Sequence, residues 1–195
     1  MFPLGERPIS VARSLLTAPD DRGPEQSRDR PSSIQAAIAL GSNLGHSAQI
    51  LIEALAVLDA EPDLRVLARS SLYQTRPVGP PQPDYLNACA VLATDQGPLD
   101  LLQTLLRVEQ QFGRVRRERW GPRLLDLDLL LYGDRILSLP HLEVPHPRMV
   151  DRAFVLVPLA EIAPHWPEPR SGRTIAQLAQ QVDCSGVLPH QLALS

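Results

Sequence analysis

The fifteen residues from Arg114 to Asp128 hold five arginines, one tryptophan and the pair Asp126-Leu127-Asp128. Carboxylates two apart in an extended segment share one face, about 6.5–7 Å apart along the strand. Acids that close repel each other, and an oxygen-liganding cation such as Mg²⁺ relieves the conflict. Arg114, Arg116, Arg117, Arg119 and Arg123 are interrupted by a single acid, Glu118. Guanidiniums crowded like this call for a shared anion, and each can grip phosphate through two charge-assisted hydrogen bonds. Alone, the aspartates would read as a solvated strand face. Beside these arginines they point to chemistry on a metal-bound polyphosphate. Trp120-Gly121-Pro122 adds a large ring and a stiff turn, which argues against a merely solvated basic loop.

Two weaker groups accompany them. Tyr85 and Asn87 share a strand face behind the proline-stiffened run Arg76 to Pro83. A ring plus a carboxamide, which donates and accepts, suits a flat heterocycle. Taken alone, the pair is more commonly a core tyrosine beside a turn asparagine. His146, between Pro145 and Pro147, could bind phosphate or brace a turn, and the residues alone leave both open.

The elements that must carry these side chains follow from periodicity. Ala36–Leu40 reads as a buried strand ending in Gly41-Ser42-Asn43-Leu44-Gly45. Leu51, Leu55 and Leu58 predict a helix with Ser47 as its N-cap and Pro62 beyond its end. Strands are predicted over Leu64–Tyr73, Tyr85–Ala93 and Leu124–Tyr132, the last with Leu125, Leu127, Leu129 and Leu131 filling the face opposite the aspartates. Gly97-Pro98 opens a second helix, with Leu101, Leu105, Val108 and Phe112 on one face and Gly113 as its C-cap. Strand, helix, strand, strand, helix, strand predicts an α+β, ferredoxin-like split βαβ fold, an antiparallel sheet with helices on one face. C-terminal helical additions are expected near Ala153–Ile162 and Thr174–Val182. Residues 1–33 carry five prolines, five arginines and five acids with no apolar period, and are expected to be a disordered extension before a single domain over 34–195.

Composition narrows the function class. A net charge of −3 and 4% aromatics disfavour an RNA-binding sheet, which needs a basic balance and exposed rings. All 19 basic residues are arginine, so a lysine-bearing phosphate loop and a lysine Schiff base are both impossible. No apolar run has the length of a membrane span. Cys89 and Cys184 form no metal or CxxC spacing, and a cytoplasmic protein is expected.

Taken together, Ala39-Leu40-Gly41-Ser42-Asn43-Leu44-Gly45, Pro83-Asp84-Tyr85-Leu86-Asn87-Ala88, Gly113-Arg114-Val115-Arg116, Arg119-Trp120-Gly121-Pro122-Arg123, Leu125-Asp126-Leu127-Asp128 and Val144-Pro145-His146-Pro147 resemble the hydroxymethyldihydropterin pyrophosphokinases of folate biosynthesis. The resemblance runs from about Ile38 to Pro164. It implies a diphosphotransferase that moves pyrophosphate from ATP to 6-hydroxymethyl-7,8-dihydropterin and releases AMP. It also implies two Mg²⁺ ions on Asp126 and Asp128, and ATP contacts from Glu109, Arg114, Arg116, Arg119, Arg123 and His146. Arg114 and Arg123 join the aspartates in catalysis, and Arg116 belongs to a loop that closes during the cycle. The implied pterin site is Thr75, Val78, Tyr85, Asn87, Trp120 and Phe154, with Tyr85 and Phe154 stacking on the ring. Pro147 and Leu106 depart from the family pattern, as do one-residue shortenings of the proline and arginine loops. The expected partners are these small molecules, with no nucleic acid and no membrane. A monomer is expected, with a weak dimer as the alternative.

Overall fold

The computed structural model describes residues 33–77, 81–113 and 121–191. The expected N-terminal extension therefore lies outside the described residues, Ser33 excepted. β1 (Ile34–Ser42) leads through α1 (Ser47–Asp59) to β2 (Leu64–Arg69) and the short β3 (Tyr73–Thr75). β4 (Tyr85–Thr94) then leads through α2 (Pro98–Gln111) to β5 (Asp126–Tyr132). β1 lies between β5 and β4, and β4 pairs on its far edge with both β2 and β3, every pairing antiparallel. This is the split βαβ arrangement that the element order predicts.

One face of the sheet is closed as expected. Ile38, Leu40, Ala88, Leu92, Leu127 and Leu129 pack against Leu51, Leu55 and Leu58 of α1 and Leu101, Leu105 and Val108 of α2. Burying each leucine contributes roughly 1.5–3 kcal/mol, so this layer carries much of the folding free energy. α2 begins as predicted, with Gly97 at the N-cap and Pro98 in the first turn. It ends at Phe112, and Gly113 follows in the left-handed region at φ 80°.

The opposite face holds the C-terminal additions, which the pattern of elements did not place. α3 (Ala153–Ile162) and α4 (Ile175–Ala179) bury Val155, Leu156, Leu159, Ile175 and Leu178 over Ala37, Cys89, Val91 and Leu130. α4 starts on a full capping box between Thr174 and Gln177. A hairpin of β6 (Leu137–Leu139) and β7 (Leu142–Val144) stands apart, and β8 (Val187–Pro189) adds a strand beyond β3.

Three local expectations are corrected. Leu131 does not join Leu125, Leu127 and Leu129, because Ala37 faces Leu131 while Ile38 faces Leu129. The extra residue, Leu130, makes a bulge that leaves both Leu130 and Leu131 in the α3 layer. Ser47 is the first helical residue rather than the N-cap, which is His46. Its hydroxyl is turned back to accept from Ser42 Oγ at 2.9 Å. The strand expected over Leu64–Tyr73 breaks at Ser70-Ser71-Leu72, where Ser70 recruits the Cys89 backbone at 2.9 Å through both its N–H and its hydroxyl.

Candidate active site

Strand register assembles the site before any loop is considered. Asp126 on β5 is opposite Gly41 on β1, Gly41 is opposite Asn87 on β4, and Asn87 is opposite Tyr73 on β3. Two residues along each strand stand Asp128, Ala39 and Cys89, while Tyr85 pairs with Thr75. Period two places Asp126, Asp128, Tyr85, Asn87 and Thr75 on one face, the face α3 also covers. Gly41 lies in the middle. A Cβ there would come within 3.3 Å of Asn87 Oδ1 and 3.9 Å of Tyr85 Cδ1, so glycine keeps a dip between the carboxylates and the Tyr85–Asn87 wall. Asn87 is 7% exposed and donates from Nδ2 to Thr75 Oγ1 at 2.7 Å, which leaves its carbonyl oxygen facing the dip. The Tyr85 phenol is pushed upward first by burial and then by Asp126, against the lowering effect of Arg123, so it stays protonated.

Each aspartate faces cationic or imidazole groups. Arg123 Nη1 lies 2.6 Å from Asp126 Oδ2. Asp128 Oδ2 is approached by Arg152 Nη1 at 3.4 Å and His146 Nε2 at 3.8 Å. His146 is tied down by its own N–H to the Leu130 carbonyl at 2.9 Å, and its Nδ1 accepts from the Arg148 N–H at 3.2 Å. The proton of the neutral ring is therefore on Nε2, toward Asp128. Burial holds the His146 pKa below the ordinary imidazole value despite the Asp128 charge, and Arg152 and Arg148 push the same way. Burial likewise lowers Arg152, with Asp128 opposing.

Two residues here escaped the sequence reading. Asn43, 4% exposed, accepts the Arg123 N–H at Oδ1 (2.7 Å) and donates its own N–H to the Arg123 carbonyl (3.0 Å). Its Nδ2 donates to Gln82 Oε1 at 3.0 Å and the Pro83 carbonyl at 3.1 Å, so one side chain joins the arginine segment to the segment leading into Tyr85. Arg152 occupies the N-cap of α3, where the helix dipole disfavours a cation. That misfit was the available signal, and Asp128 is its resolution.

The other expected residues divide clearly. Phe154 stands half-buried on the first turn of α3 over this same face, its ring 5.4 Å from the Arg152 guanidinium carbon. Glu109 engages β5 from α2. It is 1% exposed on the α2 side and accepts the Leu127 N–H at 2.7 Å, which locks α2 to β5. Arg114, Arg116, Arg119, Trp120 and Val78 lie outside the described residues.

Similarity to known proteins then decides the family. The profile of the 7,8-dihydro-6-hydroxymethylpterin-pyrophosphokinase (HPPK) family matches residues 37–164. The chain belongs to this family. A 2-amino-4-hydroxy-6-hydroxymethyldihydropteridine pyrophosphokinase of Synechocystis sp. is 54% identical over 154 residues, covering 79% of each chain. One from Pseudomonas aeruginosa is 46% identical over 151 residues, 77% of this chain and 93% of that relative. Among solved structures, a Plasmodium falciparum HPPK-DHPS with pteroate superposes with a TM-score of 0.60 at 15% identity, which speaks to the fold alone. It covers 78% of this chain, which spans 44% of that longer one. The dip beside Gly41, between paired carboxylates and the Tyr85–Asn87 wall, is thus the candidate substrate site of an HPPK.

Proposed function

We propose that this chain transfers pyrophosphate from ATP to the hydroxymethyl group of 6-hydroxymethyl-7,8-dihydropterin, releasing AMP, in folate biosynthesis. The observation that carries the reading is the shared face: paired carboxylates with flanking arginines lie across Gly41 from a ring and a fixed carboxamide. On this reading residues 34–195 are one pyrophosphokinase domain after an N-terminal extension, and the protein works in the cytoplasm. Among the described residues no helix is long and apolar enough to cross a membrane.

Asp126 and Asp128 fit Mg²⁺. They are hard oxygen donors on one face, partly exposed, at 23% and 37% of the side chain. Among the described residues no third His, Cys, Asp or Glu completes a cage. Water and phosphate oxygens would supply the remaining ligands, as Mg²⁺ prefers. When bound, Mg²⁺, two ions in our reading, neutralises the triphosphate and polarises the bonds that change.

The residues of the chain then have separable jobs. Arg123 and Arg152, now neutralising the aspartates, are placed to turn to phosphate oxygens. The neutral His146 offers its Nε2 proton as a donor to phosphate, without adding charge. Tyr85 and Phe154 would hold the faces of the pterin, and Asn87, fixed by Thr75, would read its edge. Arg114, Arg116, Arg119, Trp120 and Val78 complete the phosphate and pterin sides in this proposal. An open site would spend ATP on water, so excluding water is as important as bringing the hydroxyl in line. The test is AMP release from ATP, which should require both Mg²⁺ and the hydroxymethyldihydropterin. AMP release that is independent of the pterin would refute the assignment.

A further inference from the structure

Helix α3 is fastened to the sheet near both ends. At its start Arg152 reaches Asp128 on β5 at 3.4 Å. In its last turn the Glu161 carboxylate accepts the Ser71 N–H at 3.0 Å to each oxygen, the Ser71 hydroxyl at 2.9 Å and the Tyr73 phenol at 3.0 Å. The lengths agree. Nine residues of helix advance about 13.5 Å, and the three strand spacings from β5 across β1 and β4 to β3 come to about 14 Å. The helix is a crossbar over the site face, and Phe154 and Glu161, seven residues apart, lie on the same side of it two turns apart.

The β3 end of that crossbar is the strand edge that supports the pterin wall. Ser71 belongs to the break between β2 and β3, and Tyr73 begins β3 opposite Asn87. Thr75, two residues on, holds the Asn87 amide at 2.7 Å. Glu161 is an exposed residue, yet donors from Ser71 in the break and Tyr73 in β3 converge on its carboxylate. Burial, with the Glu161 hydrogen bond and charge, pushes the Tyr73 phenol up to about 12, so it remains a donor.

We propose that Glu161 is a positioning residue for the pterin ring, holding β3, and through it Thr75 and Asn87, at a fixed spacing from Phe154. This rests on the reading of Thr75, Asn87 and Phe154 as pterin-site residues. The experiment titrates the full-length chain with 6-hydroxymethylpterin in the presence of Mg²⁺ and a saturating non-hydrolysable ATP analogue. Glu161→Ala should weaken pterin binding about tenfold, with KM for the pterin rising far more than kcat falls and affinity for the ATP analogue unchanged. Tyr73→Phe should weaken it about threefold, and the double variant should be no worse than Glu161→Ala alone, because both act through one contact. Unchanged pterin affinity in Glu161→Ala, or an equal loss for pterin and nucleotide, would overturn the proposal. Asn87→Ala is the reference. If it too leaves pterin affinity intact, the site reading fails and takes the proposal with it, whereas loss in Asn87→Ala alone refutes Glu161 specifically.

Discussion

The two faces of the central sheet are built from the same strands but obey different rules. Toward α1 and α2 the sheet offers Ile38, Leu40, Leu92, Leu127 and Leu129, an apolar middle with Ser42 and Thr94 only at the strand ends. Toward α3 each strand changes character along its length. β5 runs from Leu130 to Asp128 and Asp126, and β4 from Val91 through Cys89 to Asn87 and Tyr85. β1 contributes Ala37, Ala39 and Gly41 beneath α3 and the site, small enough to leave room above them. Because strand side chains alternate, stability and chemistry occupy alternate residues of one segment, Asp126-Leu127-Asp128-Leu129. Neighbours in sequence should therefore fail in different ways.

The largest effect is expected on the polar side. Asp128→Asn keeps the shape of the side chain but removes the charge that faces Arg152 and His146. Mg²⁺-dependent turnover should fall by about a thousandfold or more, with the thermal midpoint little changed. Activity within tenfold of the parent would end the assignment of Asp128 as a metal ligand. One residue on, Leu129→Ala should do the opposite, costing about 2–5 kcal/mol in denaturant unfolding through lost burial and the cavity left behind. The folded fraction should keep its turnover. A loss of kcat comparable to that of Asp128→Asn would show that the faces are not separable.

Asn43 tests where the separation breaks down, since it belongs to neither layer and joins two segments of the site. Asn43→Ala strands the Arg123 N–H and frees the chain before Tyr85. The expected cost is about 1–3 kcal/mol, because buried donors lose their partner. It should appear in kcat/KM for both ATP and the pterin. An effect confined to one substrate would show that Asn43 serves only one segment.

The same contrast explains what could be read from residue types alone. The α1/α2 layer was legible because its leucines repeat at helical and strand spacing, so Leu51, Leu105 and Leu127 announce their own surroundings. Asp126 with Asp128, and Tyr85 with Asn87, were legible as pairs because period two gives each pair one face of its strand. The face common to both pairs comes from register across Gly41. What stayed hidden was set by partners far along the chain. The bulge at Leu130 reverses Leu131 only because Ala37 and Ile38 lie across from it. The break at Ser70–Leu72 exists because Ser70 finds Cys89. Glu109 was named by the resemblance alone, and its bond to the Leu127 N–H, 18 residues on, was not legible in its neighbours. Arg152 needed Asp128, 24 residues earlier, to make sense at a helix N-cap.

The smallest effect expected concerns how the α3/α4 face is held down. Glu168 is 2% exposed in the turn before α4, and its carboxylate accepts the Arg170 N–H at 2.9 Å and the Ser171 N–H at 2.8 Å. Burial alone would raise its pKa. The Ser171 hydroxyl, the two N–H groups and the Arg170 charge outweigh that and hold it below the ordinary glutamate value. A carboxyl lowered in the folded state contributes stability that is fully present above its unfolded pKa and lost as pH falls through its folded pKa. Below the ordinary glutamate pKa of about 4.3, the Pro167–Thr174 turn should therefore loosen and release α4. Amide exchange in Ile175–Ala179 should rise there more than in Pro98–Gln111 on the other face. Glu168→Gln should be less stable than the parent at pH 6, and the gap should narrow on acidification. A gap that stays constant down to pH 3.5 would mean that the Glu168 charge does not support this face, and that α4 is held by Ile175 and Leu178 alone.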